Sequence, residues 1–138
     1  MSLTWCISHP SHLVLVVAKG EFQPHEFGRL LEGIDAAKAS PYRKIVDVTG
    51  ITTKLTADMI RSFASMVRQR EDERNVGPIA IVAGSPQSHA QATQFAKQAR
   101  LSRLIHVFQQ QSEARQWLDR FYAHEHLRRV SEPGARNG

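Results

Sequence analysis

The chain has 138 residues, of which 41% are hydrophobic and 22% charged, the composition of one globular domain with a single core and no length for a second. Its one cysteine, Cys6, excludes an internal disulfide and any multi-cysteine metal or iron–sulfur site. The formal net charge of +5 is spread along residues 42 to 138 and forms no stripe, which leaves nucleic acid unsupported as a partner.

Trp5 to Ser8 and His12 to Lys19 read as two strands joined by His9-Pro10-Ser11, where Pro10 cannot donate to a ladder and suits a turn. Cys6, flanked by Trp5 and Ile7, is expected to be a buried and inert thiol. Pro24 opens a first helix, with Glu26 near the positive end of its dipole. Phe27, Leu30, Leu31 and Ile34 give that helix an apolar stripe, and it is expected to run to about Ala39, before Ser40-Pro41.

Arg43 to Val48 makes the next strand, and Thr56 is the expected cap of a second helix. Met59, Ile60, Phe63 and Val67 would form its inner face, and Arg61, Ser65 and Arg68 its outer one. The charged run from Arg68 to Arg74 reads as a solvated helix end, broken by Gly77-Pro78. Ile79 to Ala83 is a strand, followed by Gly84-Ser85-Pro86, with Ser85 as cap and Pro86 at the first helical position. Ala92, Phe95, Ala96 and Ala99 give this third helix a face of mainly small residues. Leu104 to Phe108 is the last strand, and Ser112-Glu113 starts a helix with Ala114, Trp117, Leu118 and Phe121 on one face. The order is ββαβαβαβα, an α/β domain over residues 1–126, with 127–138 as a flexible tail.

No catalytic constellation accompanies this scaffold. The candidate turns carry single glycines, Gly20, Gly50 and Gly84, so neither a dinucleotide fingerprint nor a phosphate-binding loop is present. Gly84-Ser85-Pro86 lacks the second glycine of a nucleophile elbow, and Ser85 reads as a cap. An enzymatic reading would need Asp47 or His89 beside Ser85 or a threonine, and Asp47 is expected to cap its own loop. His124 and His126, two apart in a helix, point to different faces; His9 and His12 make at best a weak surface pair, and His106 is expected to be an ordinary sheet residue. No metal and no cofactor are expected. What does cluster is hydroxyl chemistry at the carboxyl ends of strands, where open α/β sheets bind ligands: Thr49, Thr52, Thr53 and Thr56 after one strand, Ser85 after the next and Ser112 after the last.

Several segments together resemble the SpoIIAA-like superfamily, which includes the STAS domains (sulfate transporter and anti-sigma-factor antagonist). They are the hairpin, Gly20-Glu21-Phe22, Ile45-Val46-Asp47-Val48-Thr49-Gly50, Ile79-Ala80-Ile81-Val82 and Ser112-Glu113-Ala114-Arg115-Gln116-Trp117-Leu118, within residues 4 to 122. The resemblance implies a five-stranded mixed sheet with helices mainly on one face, and a bacterial regulatory module. In the antagonist branch a serine or threonine opening the second helix is phosphorylated. Thr56, in Thr53-Lys54-Leu55-Thr56-Ala57-Asp58, is the positional candidate, but no acidic residue precedes it and no glycine follows, so no phosphoswitch is expected.

The leading expectation is therefore a non-catalytic, cytoplasmic module that contacts a protein partner near the start of the second helix and is able to form a homodimer. The alternative is a binder of a small apolar or anionic ligand at the strand ends, through Thr49, Thr52, Thr53, Thr56 and Ser85. No membrane role is expected, because no apolar run reaches the roughly 20 residues that span a bilayer and the first residues lack the charged-then-apolar pattern of a secretory signal. The core is expected from Leu15, Val17, Phe27, Leu31, Ile45, Val46, Phe63, Ile79, Ile81, Phe95, Ile105 and Trp117.

Overall fold

Residues 3–21, 23–52, 54–71, 77–99 and 105–120 are described by a computed structural model. Two β-branched runs, β1 (Leu3–Ser8) and β2 (Leu13–Gly20), form the antiparallel hairpin, with Leu3 opposite Ala18 and Ser8 opposite Leu13. β3 (Arg43–Ile51), β4 (Ile79–Val82) and β5 (Ile105–Phe108) then add one by one in parallel, giving a five-stranded mixed sheet in the order β1-β2-β3-β4-β5. Each parallel step needs a crossover, and α1 (Pro24–Ala36), α2 (Ala57–Glu71) and α3 (Pro86–Gln98) supply the three crossovers. A last helix, α4, occupies residues 111–120.

The sheet is covered unequally. Val14, Val16 and Ala18 of β2, with Leu3, pack against Leu30 and Ile34 of α1 and Phe63 of α2. Ile79 and Ile81 meet Ala64 and Val67 of α2, Ala92 and Ala96 of α3 and Ala99 at its carboxyl-terminal cap on the same face. Among the described residues the opposite face carries α4 alone, whose Ala114 and Leu118 bury Ile45, Ala80 and Val82. The single-faced preference implied by the resemblance is thus realised as three helices against one.

Residue parity on β2 differs from expectation. Leu15 and Val17 are only half-buried, whereas Val14, Val16 and Ala18 are at most 2% exposed. The run Leu13-Val14-Leu15-Val16-Val17-Ala18 is apolar at every position, so it carries no alternation from which to choose a face. Cys6 is exposed, not buried. Strand alternation sends Trp5 and Ile7 toward the three-helix side and Cys6 to the other side, on an edge strand that contributes nothing to the α4 cluster. Of the remaining core expectations, Ile45, Phe63, Ile79, Ile81 and Ile105 are buried, and Phe27, Leu31, Val46, Phe95 and Trp117 are half-buried.

The first helix is also shorter than expected, ending at Ala36. Lys38 adopts φ +57°, its N–H donates to Asp35 O at 3.0 Å, and the Ala39 N–H reaches back to Ile34 O at 2.9 Å. This is a Schellman stop, closed by the apolar contact between Ala39 and Ile34 in one buried cluster. β3 in turn runs three residues beyond the expected Val48, to Ile51. Residues 72–74 of the charged run, Phe121 and the tail lie outside the described residues, as do His124 and His126.

Candidate functional site

Beneath the three helices the sheet face does not close on itself. A cavity of about 420 Å³ lies between the carboxyl-terminal halves of the strands and the inner sides of α1, α2 and α3. Protein interiors tolerate few voids larger than a water molecule, and this volume falls instead in the range of ligand pockets. Val16, Val46 and Ile81, aligned across three neighbouring strands by the sheet register, form its floor. Phe27 supplies a wall, its ring centroid 5.1 Å from Phe63 of α2 and 6.4 Å from Phe95 of α3. Phe27 and Phe95 are half-buried because each turns one side toward this space and not toward a packed neighbour. Both were expected as filled core.

The polar lining is confined to one region. Apart from Thr52, Lys54, Ser85, Gln87, Ser88 and Gln91, every described residue around the cavity is apolar. The exposed ones are Thr52, Lys54, Ser85 and Gln87, so the cavity opens between the β3–α2 connection and the first turn of α3. Gln91 Nε2 donates to Leu55 O at 3.3 Å and ties those two segments together beside the opening.

Of the hydroxyls singled out in the sequence, Thr52 and Ser85 meet at this mouth. Thr52 is held by its backbone N–H, which donates to Gly20 O at 2.9 Å. Ser85 caps α3: its Oγ accepts from Ser88 N at 3.1 Å, and Ser88 Oγ accepts in return from Ser85 N at 3.2 Å. This reciprocal capping box engages the Ser85 side chain. Thr56 Oγ1 accepts from Met59 N at 3.2 Å and so caps α2 as expected, outside the cavity lining. Thr49 donates its backbone N–H to Asp47 Oδ1 at 2.9 Å, and its methyl lies against Gly84, where a Cβ would stand 3.2 Å away. Asp47 therefore caps its own loop. Ser112 is exposed at the start of α4 and apart from the cavity, and Thr53 lies outside the described residues.

Two histidine groups take other roles. His9 Nδ1 is 2.7 Å from the Tyr42 hydroxyl and His12 stacks on the same ring at 4.8 Å, so Tyr42 joins the pair. His106 is exposed and packs on Trp117 at 4.6 Å. Among the described residues no three His, Cys, Asp or Glu side chains gather as metal ligands, and no helix is long and apolar enough to cross a membrane.

At the other end of the sheet lies a buried cation that no sequence pattern announces. Lys44, 6% exposed, donates through Nζ to Ser40 O at 2.5 Å and Tyr42 O at 2.8 Å. Burial pushes its ammonium down from 10.5 to about 7. The site forms where Gly77-Pro78 brings β4 against β3, with Gly77 N donating to Ser40 O and Lys44 N to Pro78 O. A Cβ on Gly77 would collide with the carbonyl oxygens of Pro41 and Tyr42, so this close approach requires glycine.

No protein-family model matches the chain, and no curated protein matches it by sequence. Among solved structures it is similar to an uncharacterised DUF3478-family protein with a SpoIIAA-like fold from Shewanella loihica PV-4. The TM-score is 0.58 and the identity 13%, over 85% of this chain and 93% of the other. The sequential mixed sheet, the three-against-one helix arrangement and this likeness together establish that the chain has a SpoIIAA-like fold.

Proposed function

We propose that this protein is a non-catalytic binding module that holds a small, mainly apolar molecule between its sheet and helices α1, α2 and α3. The observation that carries this reading is the 420 Å³ cavity, walled by Phe27, Phe63 and Phe95 and opening at the strand ends. Apolar area withdrawn from water would provide the affinity, at roughly 25 cal/mol per Å² before the costs of association. The few polar groups at the mouth would fix orientation. The capping roles of Ser85 and Asp47 favour binding over chemistry, since both side chains are engaged by backbone N–H groups.

A second reading, a regulatory contact with a protein partner, is favoured by the exposure of Thr49, Thr52, Thr56 and Asp58 along the segment that borders the mouth. A partner on that segment would sit where occupancy of the cavity can be sensed. Native mass spectrometry of the protein isolated from cells that naturally make it tests the primary reading. The expected spectrum has a retained small mass that is lost on denaturation and is absent from an Ala92→Phe variant, whose ring would enter the cavity. A bare native mass, together with failure of any apolar compound to raise the melting temperature, would contradict it.

A further inference from the structure

We propose that the ligand is an anionic amphiphile, a medium-chain carboxylate in chemical class, with its chain across the sheet and its head at Lys54. The inference rests on the binding reading above and adds the ligand's charge and direction. Lys54 is the one charged residue among the described cavity lining, and it stands at the mouth with Thr52 and Gln87. It makes no ion pair among the described residues. The carboxylate of Asp58, four positions on in sequence, is paired with Arg61 at 2.7 Å.

The remaining mouth groups suit a head that accepts hydrogen bonds. The Thr52 hydroxyl and the Gln87 amide can both donate, and no acidic side chain lines the described cavity to repel an anion. Behind the mouth the walls become wholly apolar, passing from Ile81 on β4 through Val46 and Val16 to Leu3 on β1. Three strand spacings of about 4.8 Å place Leu3 about 14 Å across the sheet from Ile81. A carboxylate at Lys54 would gain a charge-assisted hydrogen bond at the edge of a low-dielectric space, where such contacts are stronger than in bulk water.

Calorimetric titration with decanoate and with decanol, which shares the chain but lacks the charge, tests the proposal on the wild-type protein and on Lys54→Gln. Decanoate is expected to bind the wild type about fivefold or more tightly than decanol, and this preference should weaken as salt is raised. In Lys54→Gln the preference should vanish while decanol binds as before. Equal affinities in the wild type, or an undiminished decanoate preference in Lys54→Gln, would overturn the charge assignment and leave the binding reading intact. Absence of binding by both compounds would overturn the binding reading and this inference with it.

Discussion

Lys44 shows how the surroundings of one side chain reach the stability of the whole chain. Its Nζ has two carbonyl partners, Ser40 O and Tyr42 O, and a neutral amine retains two N–H groups to donate to them. With the folded value near 7 and the unfolded value near 10.5, the unfolded chain holds more protons between those limits. Stability must therefore rise as pH increases from about 7 to about 10.5, and the penalty of the buried charge is fully present below about 7. Chemical denaturation across this range should show a gain of a few kcal/mol in the wild type and a clearly flatter profile in Lys44→Met. Equal slopes would show that the amine stays charged in the folded state. Nothing in Arg43-Lys44-Ile45 announced this burial, because it is created by the approach of Gly77-Pro78, more than thirty positions away. Cys6 was misjudged for a related reason: its neighbours Trp5 and Ile7 describe the opposite face of the same strand.

At the scale of elements, caps were legible where a side chain performs the capping. Thr56 before α2 and Ser85 before α3 accept the N–H groups that their positions required, and Pro24 and Pro86 open helices as their fixed φ suggests. The end of α1 was not legible, because backbone geometry makes it and lysine occupies the left-handed position usually given to glycine. Lys38→Gly should relieve that strain and raise stability by about 1 kcal/mol, read as an increase in the denaturation midpoint with an unchanged slope. A loss of stability would mean that the Lys38 side chain contributes more than its backbone costs. The boundaries of β3 moved for a different reason: Gly50 interrupts the run as a strand signal, and pairing of Lys19 and Gly20 with Gly50 and Ile51 carries the ladder onward.

For the whole molecule, alternation of β-branched runs with helical stripes was enough to anticipate the element order and a largely parallel α/β sheet, while the preference of the helices for one face came from the family resemblance. The candidate site was half legible. Hydroxyls at strand ends pointed to the edge of the sheet where the cavity opens, and Thr52 and Ser85 both line it there. The cavity itself was invisible, since Phe27 and Phe95 have the spacing of core residues and only three-dimensional packing reveals that both also line a space. A fold can thus be specified by pattern while a place where packing is left incomplete is not. Methyl-resolved NMR during titration with decanol tests this directly. Saturable shifts are expected at Val16, Leu30, Val46, Ile60 and Ile81 around the cavity, with Leu13, Leu15 and Leu118 on the α4 face unmoved. Shifts confined to the α4 face, or no saturable shift at all, would contradict a binding site between the sheet and the three helices.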